Sequence, residues 1–182
     1  MIITISGLPG AGKSTVGRLL AQKLHYPFYS MGNMRRQAAL ARGLTLAEFN
    51  RLGESDPSTD TMVDDLQVKL GQEQKDFVIE GRTGWYFLPQ SKKIFLRVDP
   101  LVGAQRIFQS LAKNRRPNED KNLNDVNAVV KSTAERLASD RRRYEKYINA
   151  DVYDESHYDI IIDTSRVSID EVVRKLENFL KS

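Results

Sequence analysis

The sequence predicts an α/β fold, a three-layer sandwich in which a parallel sheet carries helices on both faces. Short apolar runs rich in β-branched residues alternate with longer segments of helical periodicity along the chain, and the apolar runs are continuous. Alternating strands and helices are typical of parallel sheets, and continuous apolar runs are typical of strands buried on both faces. The 182 residues suffice for a single domain with one core.

The first strand and the first helix flank a glycine-rich loop. Isoleucines within residues 2–5 predict the strand, and residues 7–12 contain four glycine or proline breakers. Apolar residues after Ser14 recur at steps of three and four, which predicts a helix that ends near His25, ahead of Pro27. The chain therefore begins with strand, loop and helix in succession.

The rest of the chain continues this alternation and completes a five-stranded sheet. Further strands are predicted at Phe28–Tyr29, Phe77–Ile79, Ile94–Val98 and Ile160–Ile162. Helices are predicted as three short ones within 31–74 and as longer ones at 101–111, 126–147 and 168–180. Ser168 with Glu171 predicts a cap for the last helix. The polar segment 113–124 has the composition of a mobile connection.

Composition excludes several classes of site and protein. The chain has no cysteine, which excludes disulfides, thiolate metal sites and a cysteine nucleophile, and its two histidines lie far apart. No apolar run approaches the roughly 20 residues that cross a bilayer, and residues 1–6 do not resemble a secretion signal. We therefore expect a cytoplasmic protein without membrane contacts. The net charge of +4 favours anionic partners.

The motif with the most chemical information lies between the first strand and the first helix. Residues 7–14 match the P-loop signature G-x-x-x-x-G-K-[ST] in full. Backbone N–H groups of such a loop curl around a phosphate, which needs the conformational freedom of glycine. Lys13 then adds charge near the β- and γ-phosphates of ATP, and Ser14 offers its hydroxyl to Mg²⁺. The predicted ATP-binding residues are Gly7, Pro9, Gly10, Ala11, Gly12, Lys13, Ser14 and Thr15.

A P-loop does not by itself specify the acceptor of the phosphate, because GTPases, ATPases and small-molecule kinases share it. The small size and the lack of an Asn-Lys-x-Asp guanine signature favour a kinase with a small acceptor. Two alternatives stay open: a kinase for a small hydroxylated metabolite, and an RNA-associated ATPase that uses the arginines of 136–143. The basic residues cluster at 115–116 and at 136–143. These clusters lack interleaved aromatic residues, which argues against nucleic acid as a partner.

Several segments together resemble the cytidylate kinases, particularly their short archaeal-type form. These segments are 1–24, 29–32 with Arg35, 80–82, 94–106, 136–144 and 158–165. The resemblance is weak only in 43–73. It implies a monomeric enzyme that transfers the γ-phosphate of ATP to CMP or dCMP, with UMP or AMP as alternative acceptors. It also implies an acceptor-binding helical insertion at 31–74, a mobile lid at 113–147, and a core formed by 1–30, 75–112 and 148–182.

The same resemblance implies roles for several charged residues. Arg35 and Arg82 would grip the acceptor phosphate. Arg136, Asp140 and Arg143 share one helix face, where the arginines would meet the phosphates and Asp140 the ribose hydroxyls. Glu80 would act with Ser14 at the metal, and Arg106 would assist from its helix. The implied catalytic residues are Lys13, Arg115, Arg116, Arg136 and Arg143.

Recognition of the base departs from the pattern of the family. Asn33 replaces an acidic residue, and Thr83 stands where longer bacterial enzymes have an aspartate. The acceptor base is therefore expected to meet polar residues within 31–75. The candidates are Asp56, Ser58, Asp60, Asp64 and Asp65. We prefer Asp60, because a carboxylate that accepts from an exocyclic amine favours cytosine.

Overall fold

The central sheet has five parallel strands within the part of the chain that the computed structural model describes, residues 1–113 and 122–181. The strands are β1 (Ile2–Gly7), β2 (Phe28–Ser30), β3 (Phe77–Glu80), β4 (Lys92–Arg97) and β5 (Ile160–Asp163). Their order is β2-β3-β1-β4-β5, and every neighbouring pair is parallel. The predicted five-stranded parallel sheet is therefore confirmed, with β1 at its centre.

Helices connect the strands in the predicted sequence. They are α1 (Lys13–Leu24), α2 (Met31–Ala41), α3 (Leu46–Gly53), α4 (Ser58–Glu73), α5 (Gly84–Phe87), α6 (Pro100–Ala112), α7 (Val126–Ile148) and α8 (Ile169–Lys181). The three helices expected within 31–74 are confirmed, whereas α5 was not predicted, since four residues are too few to show a helical period. No helix in the described ranges combines the length and the apolar character that a membrane span requires.

Local chemistry sets the ends of these helices. His25 has a φ of 57°, and its backbone N–H bonds to carbonyls of the last turn of α1, which ends that helix where the sequence predicted. Ser168 and Glu171 bond reciprocally before α8, with Ser168 N donating to Glu171 Oε2 at 2.8 Å and Glu171 N to Ser168 Oγ at 3.3 Å. The predicted cap is therefore confirmed.

Apolar side chains cover both faces of the sheet. Ile3 belongs to a buried cluster with Leu20 of α1 and Leu176 of α8. Ile79 belongs to a second cluster, which includes Val63 of α4. In the register of β1 and β3, Ile79 stands opposite the residue after Ile3, so it faces the other side of the sheet. This arrangement confirms the predicted three-layer sandwich, whose burial of apolar surface is the main stabilising force.

The ends of the strands gather at one edge of the sheet. Glu80 pairs with Ile5, and Gly7 pairs with Leu96, so the loops after β1, β3 and β4 leave the sheet together. In parallel α/β sheets, ligands bind outside the carboxyl ends of the strands. The P-loop therefore lies at the edge where a site is expected.

Candidate active site

The loop between β1 and α1 has the geometry of a phosphate-binding loop. Gly10 and Gly12 have φ values of 80° and 85°, in the left-handed region that favours glycine. A Cβ on Gly10 would lie 2.4 Å from the carbonyl oxygen of Gly103, so the loop packs tightly against α6. Lys13 Nζ donates to the carbonyl oxygens of Gly7 and Leu8, each at 2.8 Å. The ammonium group is thereby held at the loop, as a polyphosphate requires.

A cleft of about 750 Å³ opens in front of the P-loop. Arginines from five separate elements line it: Arg18 of α1, Arg36 of α2, Arg82 after β3, Arg106 of α6 and Arg136 of α7. Guanidinium groups bind phosphate oxygens through charge-assisted hydrogen bonds, often in pairs. The cleft is therefore suited to more than one phosphate group.

Ser14 and Glu80 meet on the floor of the cleft. Ser14 Oγ donates to Glu80 Oε1 at 3.1 Å, and the Ser30 hydroxyl also donates to this oxygen. Glu80 is buried, with an exposed fraction of 4%. Mg²⁺ binds through one or two protein oxygens and takes the rest of its octahedron from phosphate and water. The hydroxyl and the carboxylate therefore fit an ion that enters with a nucleotide.

A buried network of arginines and aspartates stands behind the cleft. Arg35 Nη1 donates to Asp60 Oδ1 at 2.7 Å, and Arg143 Nη1 donates to both Asp60 oxygens at 2.6 and 2.7 Å. Arg82 Nε lies 2.5 Å from Asp140 Oδ2, and Arg143 also pairs with Asp140. Because buried charges need partners, these contacts hold α2, α4, α7 and the end of β3 together.

The network fixes the charges of its members. Burial raises the pKa of Asp140, but the charges of Arg82 and Arg143 outweigh it and hold that pKa well below its usual range. Burial likewise lowers the pKa of Arg143, and the negative charge of Asp140 more than reverses this. Both groups are therefore ionised at neutral pH.

Arg35 and Arg36 face different surroundings. Arg36 lines the cleft, whereas Arg35 is buried, with an exposed fraction of 5%, and its Nε donates to Asn50 Oδ1 at 2.8 Å. The sequence prediction gave the acceptor phosphate to Arg35 and Arg82 and did not include Arg36. The helical period of α2 indicates which of the two arginines is buried, because Arg35 shares a face of the helix with the apolar residues Met31 and Ala39, four residues away on either side.

The remaining predicted arginines are placed as follows. Arg106 Nη2 donates to the carbonyl oxygen of Thr164 at 2.8 Å, and its Nη1 donates to Thr164 Oγ1 at 3.2 Å. It therefore joins α6 to the loop after β5 beside the P-loop. Arg136 reaches the cleft from α7. Arg115 and Arg116 lie outside the described residues.

The acidic candidates for base recognition differ in surroundings. Asp60 is committed to the arginine network, Asp65 is exposed, and Asp56 accepts from Ser58 N at 2.9 Å at the start of α4. Asp64 is half-buried, and its Oδ1 accepts from Thr83 Oγ1 at 2.8 Å. Burial raises the pKa of Asp64 to about 6. Of these carboxylates, Asp64 is the one held beside the loop that brings Arg82 into the cleft.

Comparisons with known proteins show the family and the fold of the chain. Residues 2–166 match the Cytidylate kinase-like family. The cytidylate kinase of Methanococcoides burtonii is 37% identical over 166 residues, covering 91% of this chain and 89% of that protein. That of Methanosphaera stadtmanae is 32% identical over 182 residues, covering 100% and 99%. The solved shikimate kinase of Bacteroides thetaiotaomicron shares the fold, with a TM-score of 0.66 at 18% identity and coverage of 100% and 99%. The chain belongs to the cytidylate kinase-like family.

Proposed function

We propose that this protein is a nucleoside monophosphate kinase that transfers the γ-phosphate of ATP to CMP or dCMP, giving the nucleoside diphosphate and ADP. The observation that carries this proposal is the cleft that a complete P-loop shares with five arginines from separate elements. Membership of the family supports cytidine nucleotides as the acceptors.

The donor side uses the P-loop and its neighbours. Backbone N–H groups of residues 10–15 bind the β- and γ-phosphates of ATP, and Lys13 neutralises their charge. Ser14 and Glu80 hold Mg²⁺, which supplies further neutralisation of the phosphates when bound. The acceptor is already an oxyanion, so catalysis consists of positioning and charge stabilisation, and no strong base is required.

The acceptor side uses the opposite wall of the cleft. Arg36 and Arg82 bind the acceptor phosphate, and Arg136 stabilises the charge that develops during transfer. Behind them stand Arg35, Asp60, Asp140 and Arg143, which fix the position of this wall. The resemblance to the family assigns Asp140 to the ribose hydroxyls; in this structure its oxygens pair with Arg82, Arg143 and Tyr153, so that role stays a prediction.

The proposed function also assigns roles to whole segments. Residues 31–74 would carry the acceptor, and residues 113–147, which include Arg115 and Arg116, would close as a lid. Closure excludes water, which otherwise competes as an acceptor and hydrolyses ATP. We place the enzyme in the cytoplasm as a monomer.

A panel of acceptors tests this function. The purified protein is incubated with ATP, Mg²⁺ and either CMP, dCMP, UMP, AMP, GMP or shikimate, and the products are separated by anion-exchange chromatography. We expect the highest kcat/KM for CMP and dCMP. Dominant use of UMP or AMP would retain a nucleotide kinase with a different base preference, whereas use of shikimate alone would favour the metabolite kinase.

A further inference from the structure

A second polar cluster lies beside the arginine network. Asp60, Asp64 and Gln67 are spaced by four and three residues on α4, so they share one face of this helix. Asp60 already accepts from Arg35 and Arg143. The next two polar side chains of this face meet the loop that follows β3, where Arg82 enters the cleft.

The hydrogen bonds of this cluster use one oxygen of Asp64. Thr83 Oγ1 donates to Asp64 Oδ1 at 2.8 Å, and Gln67 Nε2 donates to the same oxygen at 3.0 Å. Gln67 Nε2 also donates to Thr83 Oγ1 at 2.9 Å. Within residues 1–113 and 122–181, every hydrogen bond to Asp64 goes to Oδ1. Its Oδ2 is therefore available to a ligand.

The cluster has more hydrogen-bond acceptors than donors, as the side chain of Gln67 shows. Its side chain is fully buried, and within the described part of the chain its Oε1 has no hydrogen-bond partner. A Cβ on Gly84 would lie 3.5 Å from this oxygen, so the oxygen faces the loop after β3. The N–H and O–H groups of Gln67 and Thr83 are already used, whereas two acceptor oxygens remain. Buried acceptors without donors are uncommon, and each calls for an explanation such as a bound ligand or an ordered water.

Cytosine and uracil differ in what they present to such a cluster. Cytosine carries an exocyclic amine at C4, which donates, whereas uracil carries a carbonyl oxygen there, which accepts. A carboxylate beside an amide carbonyl attracts the amine and repels the carbonyl oxygen. A site built for one hydrogen-bond pattern rejects the analogue that leaves its polar groups unpaired.

We propose that Asp64 accepts a hydrogen bond from the exocyclic amine of the acceptor base and thereby selects cytosine over uracil, with Gln67 and Thr83 as positioning residues. This inference rests on the proposed function and names what selects the base at the same site. It transfers the role from Asp60, whose oxygens are held by two guanidinium groups, to the next turn of α4.

The first test needs no variant. We compare kcat/KM of the wild-type protein for CMP, for UMP and for the 2-pyrimidinone ribonucleoside monophosphate, which has the cytosine ring without the amine. We expect CMP to be preferred over both by about 10- to 100-fold, as for a lost hydrogen bond to a charged group. Equal kcat/KM for CMP and the amine-free analogue would overturn the inference.

The second test changes the carboxylate. Asp64→Asn keeps the shape and the oxygen that faces Thr83, and we expect it to lower the CMP-to-UMP ratio of kcat/KM by about tenfold or more. Thr83→Val, which removes a positioning contact, should lower the ratio less than Asp64→Asn does. Glu73→Gln removes an exposed carboxylate from the end of the same helix and should leave the ratio unchanged.

The outcomes separate this inference from the proposed function. If wild-type protein phosphorylates CMP and Asp64→Asn keeps the wild-type ratio, the inference is wrong and the kinase assignment stands. If wild-type protein phosphorylates no nucleotide, the proposed function fails first. If Asp64→Asn does not fold, as judged by thermal unfolding, the comparison of CMP with the amine-free analogue decides.

Discussion

Lys13 is the residue whose charge the donor phosphates need most directly. Its Nζ donates to two backbone carbonyls of its own loop, so replacing it removes charge from the cleft without breaking the core. We predict that Lys13→Ala lowers kcat by about 100- to 1000-fold, the usual effect of removing one stabilising donor of a transition state. Lys23→Ala, at an exposed position of α1, is the matched control. Retention of a tenth of wild-type kcat would contradict the role of Lys13.

Arg35 and Arg36 are adjacent, yet we predict opposite phenotypes. Arg36→Ala should raise KM for CMP by about 10- to 100-fold with normal stability, because Arg36 lines the cleft. Arg35→Ala should cost about 3–5 kcal/mol in urea unfolding, since it breaks a buried ion pair with Asp60. If Arg35→Ala instead keeps wild-type stability and loses affinity for CMP, the phosphate contact belongs to Arg35, as the sequence prediction had it.

The period of α2 places Arg35 on the buried face of that helix, but the sequence does not reveal what Arg35 pairs with there. Arg35 pairs with Asp60, 25 residues away, and Arg143, 83 residues beyond Asp60, pairs with the same carboxylate. Neither contact is visible in local periodicity. The P-loop, by contrast, is a contiguous motif in which the spacing of the residues determines the geometry, so the sequence predicts the positions of Lys13 and Ser14 directly.

At the scale of elements, the close contact of the P-loop with α6 gives a matched pair of glycine variants. Gly10 and Gly43 both have a positive φ, of 80° and 67°. A Cβ at Gly10 meets Gly103, whereas at Gly43 no atom lies within 4 Å. We predict that Gly43→Ala costs only the backbone strain of about 1–2 kcal/mol, and that Gly10→Ala in addition weakens binding of Mg²⁺–ATP by more than about tenfold. Urea unfolding measures the loss of stability, and titration calorimetry measures the affinity for Mg²⁺–ATP. Equal ATP affinities of the two variants would contradict the prediction.

The elements themselves were predictable where local chemistry decides them. Residues Ile160–Ile162 form an apolar, β-branched run, and the Ser168–Glu171 pair fixes a helix start, so β5 and α8 lie where expected. β4 begins at Lys92 rather than at Ile94. Pairing of Lys92 and Lys93 with β1 extends the strand, and this depends on a neighbour that the sequence alone does not reveal.

At the scale of the whole molecule, the arginine–aspartate network makes stability depend on pH. The pKa of Asp140 is held far below its ordinary value of about 4 by Arg82 and Arg143. The folded state therefore gains stability from this carboxylate above pH 4 and loses it as the pH falls below that value. We predict that Asp140→Asn is less stable than the wild-type protein at pH 7 and that the difference shrinks towards pH 3. A difference that does not change with pH would contradict the role of the charge.

Asp64 should make the stability of the protein depend on pH in the sense opposite to that of Asp140. Burial raises its pKa to about 6, above an ordinary value of about 4, so the folded state favours the protonated form. The stability that this group contributes is fully present below pH 4 and is lost as the pH rises through 6. Asp64→Asn removes the cost of the buried charge, so the variant should be about 1–3 kcal/mol more stable than the wild-type protein at pH 8 and equal to it at pH 4.

Urea unfolding at pH 4, 6 and 8 measures this difference, and Glu73→Gln is the control that should show none. An Asp64→Asn protein that is less stable than the wild-type protein at pH 8 would mean that nearby arginines outweigh burial, and that the carboxylate serves the fold. A more stable Asp64→Asn protein with a reduced preference for CMP would mean that the carboxylate lowers stability and serves the substrate. Natural proteins accept such a cost at positions that bind a ligand, because the group is then satisfied only in the complex.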